Sequence, residues 1–598
     1  MNRPAPGSVI LYDAQRGGWL RFSRPQRTLV ARRPEEVKTV LDQVEAATAA
    51  GRHAAGFVAY EAAPAFDPAL EVCAHDDFPL AWFGIFEPPQ PIALPPPPAS
   101  FARPRWQPAL AASTFARQIA AIKAHIRRGE TYQANFTFPL FCDDAVAPWP
   151  FFLDLVHGQR AGHAAYLDTG RFIICSASPE LFFSREKERL LCRPMKGTAP
   201  RGRTVAEDRG RGSALRRSAK NRAENVMILD MVRNDLGRLG PVEVGDLFAI
   251  EKYPTVWQMT SAATTRSAAS LAEIFTALFP CASITGAPKV RTMQIIRALE
   301  QEPRRIYTGA IGRVGPQGLA CFGVAIRTAL FDRDLERGEY RVGAGITWGS
   351  QPAAEYRECL TKARILERGI PDFFLLETLL WTPAKGYALL AEHLRRLAGS
   401  AGYFDYPCNA AEVRAVLRQT AASLPAVPHK VRLLLAADGQ LQCAAAPITI
   451  DAAPPTLRLG VAATPVDSAD PLLFHKTTHR APYERARRQC PEADEVLLWN
   501  ERGEITEACH YNVVVQLGGI QITPPVACGL LGGTLRAQLL KEGTVREEIV
   551  RLEDLRRAEG IWLVNSVRGW RLGQLDTAPH SSNTQNPDQP SASPVAGF

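Results

Sequence analysis

The sequence predicts a soluble α+β protein built from several consecutive units, and three observations carry that reading. Short apolar runs of strand type alternate with amphipathic helical stretches along the whole chain. At 598 residues the chain is longer than one hydrophobic core ordinarily supports. A proline-rich stretch at 88–108 and a tail from about 576, rich in Ser, Asn, Pro and Gln, punctuate it as connector and disordered terminus.

Composition narrows the function. The formal charge of +9 comes from basic residues interspersed with acids, with no long Lys/Arg block, which suits a small polyanionic substrate and argues against nucleic acid. Twelve cysteines occur singly, with no C-x-x-C pair, so neither a zinc site nor a disulfide framework is indicated. No apolar run reaches membrane-spanning length. A cytoplasmic protein with no nucleic-acid or membrane partner is expected.

Taken in order, residues 1–110 read as an N-terminal subdomain ending in the connector, with strand-like runs at 8–12 and 55–60 and a helical pattern over 34–50. Residues 111–370 read as a catalytic domain. A helix is predicted over 113–128, ending at Gly129, and a strand over 172–176 delivers Ser178, Pro179 and Glu180 at its end, where a carboxylate is a general-acid candidate or a solvated turn residue. The stretch 193–202 places Lys196 in a loop stiffened by two prolines and ringed by Arg193, Arg201 and Arg203. Neighbouring cations and desolvation disfavour the ammonium form, making Lys196 a candidate nucleophile; the same stretch also reads as a basic surface turn.

Further on, Glu224 lies along the apolar face of a helix through Met227, Ile228, Met231 and Val232. Glu355 and Glu358, three apart, share one side of another helix. Carboxylates gathered from two helices call for a cation, and magnesium, which takes one or two carboxylates plus substrate oxygens, is the natural one; singly, each reads as an exposed helix glutamate. Residues 283–289 read as a helix N-terminus suited to an anion. Arg327 ends an apolar strand, and Gly343 to Gly345 offer amides to a carboxylate or serve packing.

These segments, SPE, MKGTAPRG, AENVMILDMVRNDLGR, ITGAPK, GVAIRT, GAGI and EYRECLTKA in this order, resemble the signature series of the chorismate-utilising enzymes. The resemblance implies a two-sheet fold surrounded by helices. It implies magnesium held by Glu224 and Glu358 with Glu355 adjacent, carboxylate binding by Arg327, Gly343 and Gly345, and Thr285 and Gly286 lining the site. Within the family, lysine before Gly-Thr marks aminodeoxychorismate synthases, where anthranilate and isochorismate synthases carry alanine. Lys196 would then attack C2 of chorismate while Glu180 protonates the departing C4 hydroxyl, and ammonia would displace the lysine. Gln258 stands where anthranilate synthases have a histidine, and an amide cannot transfer a proton as imidazole does. No G-x-C-x-G elbow of a glutaminase occurs, so ammonia is expected from solution or a separate glutamine amidotransferase subunit.

Residues 373–575 form the third region. Lys476 sits among polar residues, Glu507 leads towards the apolar run at 513–515, and Gly532-Gly533-Thr534 enters a helix. Such parts suit pyridoxal phosphate, though singly each reads as an ordinary surface lysine, strand-end charge or turn. Together they resemble the fold-type IV pyridoxal phosphate enzymes, an α/β module of two subdomains that dimerises by family habit. The resemblance implies Lys476 as Schiff-base lysine and proton carrier, Glu507 on the pyridine nitrogen, and Arg396, Gly533 and Thr534 on the phosphate. Residues 565–569 resemble the substrate-side motif of aminodeoxychorismate lyase. The two halves in sequence imply formation of 4-amino-4-deoxychorismate and then elimination of pyruvate to give 4-aminobenzoate, a step of folate biosynthesis. The alternative for the second half is a D-amino-acid or branched-chain aminotransferase.

Overall fold

The computed structural model describes residues 3–74, 76–98, 101, 103–159, 161–366, 372–451 and 453–576. The tail expected from 576 lies, from 577 on, outside the described residues. The chain divides into two compact units, Met1–Gly202 with Glu207–Pro371, and Arg203–Ala206 with Asp372–Phe598.

The first unit is a pair of large antiparallel sheets. One runs through the strands Gln133–Cys142, Arg337–Ile346, Thr328–Asp332, Phe172–Ser178, His163–Asp168, Val9–Asp13 and Gly18–Phe22. The other runs through Arg189–Arg193, Leu181–Glu186, Leu319–Val324, Ala310–Gly315, His53–Val58 and Ala81–Phe86. A buried cluster that includes Leu11, Phe57, Trp82, Ile174, Ile311 and Leu330 draws on strands of both sheets.

Helices cover the outer faces. Pro34–Ala49 has proline at its first position and Glu36 closing a capping box, and it buries Val37, Val40, Leu41 and Val44, the spacing of one helical face. It packs in one cluster with Leu271–Leu278 and Ala219–Gly237. Ala112–Arg127, Pro148–Gln159 and Pro352–Ala363 contribute to the other.

The boundary expected near residue 110 falls inside this unit. Val9–Asp13 pairs with His163–Asp168, and His53–Val58 pairs with Ala310–Gly315, so strands from both sides of the connector share the sheets. The stretch expected as a loop at 193–202 is largely a strand, Met195–Pro200, in a small sheet with Val256–Thr260 and Ala249–Lys252.

The second unit has two parts. A four-stranded antiparallel sheet, including Leu375–Thr382 and His429–Leu435, packs with the helices Leu390–Phe404 and Ala410–Ala422. An eight-stranded mixed sheet includes Glu495–Trp499, Ile505–Ala508 and Asn512–Leu517. This mixed α+β architecture, two sheets with helices followed by a two-part module, is the fold class the sequence implies.

Candidate active sites

The first site is built around a bulge. Met195 pairs with Thr260 and Thr198 with Gln258, so Lys196 and Gly197 together oppose Met259 alone. Gly197 has φ +96°, and a Cβ there would meet Asn221 Cβ at 3.1 Å and Met259 Cβ at 3.2 Å, so any side chain would be strained and crowded. The bulge turns Lys196 into a cavity of about 360 Å³ within the first unit. Glu180, Lys196, Glu224, Arg327, Gly343, Gly345, Glu355 and Glu358 all line it.

Glu180 is buried just beyond the strand Phe172–Ser178, and the Ser283 hydroxyl donates to its Oε1 at 2.6 Å. Burial raises its carboxyl above the ordinary range, against the Ser283 bond and the Lys196 charge. Burial likewise lowers the Lys196 amine, while Glu180 pulls it up and Lys362 pushes it further down. Each shift favours the neutral form. A Cβ at Gly345 would lie 3.4 Å from Lys196 Nζ, so the missing side chain leaves room beside the amine.

Arg327 sits between Leu319–Val324 of one sheet and Thr328–Asp332 of the other, with φ +50°, an uncommon conformation for a residue with a side chain. Its guanidinium donates to the Gln159 side-chain carbonyl. Burial depresses its basicity, and no ion pair with a carboxylate is found for it among the described residues. An anionic ligand would relieve that.

Glu224 and the Glu355/Glu358 pair enter from two helices. Lysines one turn away already supply countercharge: Lys362, one turn after Glu358, has its Nζ 2.9 Å from that carboxylate and 3.0 Å from the Gly343 carbonyl, and Lys220, one turn before Glu224, is 4.0 Å from it. Burial raises the Glu355 carboxyl, and the like charge of Glu358 adds to it. Among the described residues no group of three or more His, Cys, Asp or Glu side chains is gathered so as to hold a metal ion. Glu224, Glu355 and Glu358 thus share the cavity wall without forming a metal-ligand cluster of their own.

Two expectations fail here. Thr285 and Gly286 do not line the cavity. The Thr285 hydroxyl turns back to the Cys281 and Ala282 carbonyls, and Gly286 pairs with Ala134, its absent Cβ leaving space that the Gln133 carbonyl would contest at 2.0 Å. The helix begins only at Lys289, after these residues have been spent on backbone pairing. Nor is Arg201 a free cation beside Lys196: it makes a two-pronged pair with buried Asp208 at 2.7 and 2.8 Å, and Trp257 Nε1 and the Gly202 amide complete that carboxylate. Conversely, Ser283, Tyr307 and Lys362 line the cavity without having been expected. Only Lys362 carried a sequence signal, its i,i+4 spacing from Glu358.

The second cavity, about 570 Å³, opens between the two parts of the second unit, and Lys476, Glu507, Arg396, Gly533, Thr534, Asn565 and Arg568 line it. Lys476 follows a 3-10 turn, Pro471–Phe474, and its carbonyl accepts from the Leu376 amide at 2.9 Å, which fixes the lysine against the smaller sheet. Burial pushes its amine down to about 8, with Arg396 adding to the shift. Glu507, on Ile505–Ala508, accepts from the Tyr483 hydroxyl at 2.7 Å, and burial raises it to about 7.

Arg396 is gripped by buried Glu377 at 2.9 and 2.6 Å, and His393 Nδ1 bonds the same carboxylate at 2.6 Å. Burial alone would push Glu377 up; these partners bring it to about 2. Gly533 caps the helix Thr534–Lys541, and a Cβ there would fall 1.9 Å from Asn512 Oδ1. A lysine of lowered basicity, a buried carboxyl, and an arginine with a helix start on one cavity wall form a donor set that fits pyridoxal phosphate. Tyr483, Arg480, Lys430 and Arg432 also line this cavity and had no local sequence signal.

Residues 7–368 match the family model of the chorismate binding enzymes, and residues 375–572 match that of the class IV amino-transferases. The chain belongs to the chorismate binding enzyme family and carries a class IV amino-transferase module behind it. That second family implies pyridoxal phosphate as cofactor.

Component 1 of aminodeoxychorismate synthase from Escherichia coli K12 is 35% identical over 271 residues, 44% of this chain and 59% of that protein. An anthranilate synthase component 1 from Haloarcula marismortui is 39% identical over 264 residues, 43% of this chain and 54% of that protein. The match thus spans little more than half of these curated relatives. The crystal structure of anthranilate synthase component I from Streptococcus pneumoniae TIGR4 shares the fold, with a TM-score of 0.52 at 21% identity over 62% of this chain and 94% of that one. No helix among the described residues is long and apolar enough to cross a membrane.

Proposed function

We propose that the first unit aminates chorismate to 4-amino-4-deoxychorismate, with ammonia from a separate glutamine amidotransferase, and that the second removes pyruvate from that product to leave 4-aminobenzoate. The observation that carries this reading is the placement, on one cavity, of a buried carboxyl and a lysine, burial pushing the first up and the second down. A neutral amine is a nucleophile and a neutral carboxyl is a proton donor.

Lys196 Nζ forms a bond to ring C2 and the two ring double bonds shift. The C4–O bond breaks as Glu180 gives its proton to that oxygen, so water leaves. Ammonia then bonds to C4, the double bonds shift back, the lysine departs from C2, and the Glu180 carboxylate takes up the proton that ammonia loses. Arg327 and the Gly343–Gly345 strand hold substrate carboxylate. Glu224, Glu355 and Glu358 would hold magnesium, which supplies countercharge to a carboxylate when bound.

In the second cavity Arg396, Gly533 and Thr534 would hold the cofactor phosphate and Glu507 would pair with the pyridine nitrogen. When bound, pyridoxal phosphate supplies an electron sink next to the carbon that bears the substrate amine. Lys476 moves the proton at that carbon, and the Arg480 and Arg568 wall faces a substrate with two carboxylates.

The test is incubation of the whole protein with chorismate, magnesium and an ammonium salt, with and without pyridoxal phosphate, following 4-aminobenzoate and pyruvate by chromatography. Both products are expected only with the cofactor, and neither in Lys196→Ala. Lys476→Ala should accumulate aminodeoxychorismate. Formation of anthranilate would overturn the first assignment. Stalled aminodeoxychorismate with bound cofactor, and amination of an added keto acid, would give the second half to the aminotransferase reading.

A further inference from the structure

The bulge that aims Lys196 leaves two backbone carbonyls, those of Lys196 and Met259, on opposite strands at the point where the register slips. One side chain serves both. Asn225 Nδ2 donates to the Lys196 carbonyl at 3.1 Å and to the Met259 carbonyl at 3.3 Å. Asn225 is 1% exposed, on the helix Ala219–Gly237, one residue after Glu224.

Its amide is held in a single orientation. The Ser261 hydroxyl donates to Asn225 Oδ1 at 2.5 Å and itself accepts from the Phe248 amide at 3.1 Å, which leaves the hydroxyl proton for the asparagine. The Ser261 amide also reaches the Pro194 carbonyl at 3.3 Å, tying the same residue to the near side of the bulge. Ser261 too is 1% exposed. A fixed amide that donates to both carbonyls of a bulge specifies where the bulge sits, and so where the side chain at its first position points.

We propose that Asn225, oriented by Ser261, is the positioning residue for Lys196, holding the bulge that directs the amine into the cavity. The proposal rests on the reading of Lys196 as nucleophile. Asn225 itself is not among the residues that line the cavity.

Asn225→Asp keeps the shape and the Ser261 bond but sets an oxygen against two carbonyl oxygens. Ser261→Ala keeps the donor and removes only its orientation, a gentler change should Asp be poorly folded. Ammonia-dependent chorismate amination is expected to lose about 100-fold in kcat in Asn225→Asp with KM for chorismate within about three-fold, because Arg327 and the glycine strand are untouched. A smaller kcat loss of the same kind is expected in Ser261→Ala. Pyruvate release from supplied aminodeoxychorismate, a reaction of the second unit, should stay at the unsubstituted level in both.

A second readout does not depend on the reaction. Reductive methylation with formaldehyde, mapped by peptide mass, should change in rate at Lys196 relative to Lys362 of the same cavity in both variants. Unchanged kcat and unchanged Lys196 methylation in both would overturn the proposal, as would KM rising in step with the fall in kcat. If Lys196→Ala retains amination, the functional reading fails instead, and the methylation rates alone decide whether Asn225 positions the amine.

Discussion

Glu180 and Lys196 line the same cavity, and on the proposed mechanism the pair works with one proton between them. Activity should therefore rise as the pair loses its first proton and fall as it loses the second. Burial raises the first of these steps and lowers the second, so the limbs approach each other. The pH profile of kcat/KM for amination is expected to be a bell narrower on both sides than an ordinary carboxylate and lysine would give. A plateau over several pH units would contradict the pairing. Lys196, Glu180, Lys476 and Glu507 were legible as cavity residues through the ordered motif series in which each stands, since singly each also had an ordinary surface reading. Ser283 and Tyr483 were not: each reaches its carboxylate across the fold, 103 and 24 residues away, with nothing local to mark it.

At the scale of elements, the strand Met195–Pro200 shows how a local rule misleads. Two prolines and two glycines read as a loop, yet its pairing partner lies 60 residues on, and the bulge exists only in that pairing. Helix ends, which depend on a few adjacent residues, were read within a residue or two: 113–128 was expected and Ala112–Arg127 is found. The left-handed backbone at Gly197 makes an element-level prediction. Gly197→Ala should cost about 1–3 kcal/mol in the first unit from the conformation alone. Its methyl group would also press on the helix carrying Glu224 and Asn225. Denaturant unfolding followed by probes in each unit should move the first transition and leave the second in place. Movement of the second transition as well would refute the local origin of the strain.

For the whole molecule, the order of modules was legible because each carries its own motif series, whereas the boundary at 110 was not. Proline content reports local stiffness and says nothing about which strands a connector feeds. If each unit carries its own proposed site, Lys196→Ala and Lys476→Ala proteins, mixed, should together convert chorismate to 4-aminobenzoate, since each supplies the half that the other lacks. Product should appear after a lag while aminodeoxychorismate accumulates in solution, measured by chromatography over time; failure of the mixture would mean that the intermediate does not pass between molecules.

The interleaved sheets of the first unit bear on how the chain comes into being. The strand Val9–Asp13 leaves the ribosome long before His163–Asp168 exists to pair with it, and His53–Val58 waits for Ala310–Gly315. Contacts so distant in sequence make for slow folding and for long exposure of apolar strand edges during synthesis. This half of the protein thus cannot close its core until translation has passed residue 310, and its first strands stay without their sheet partners for that whole interval.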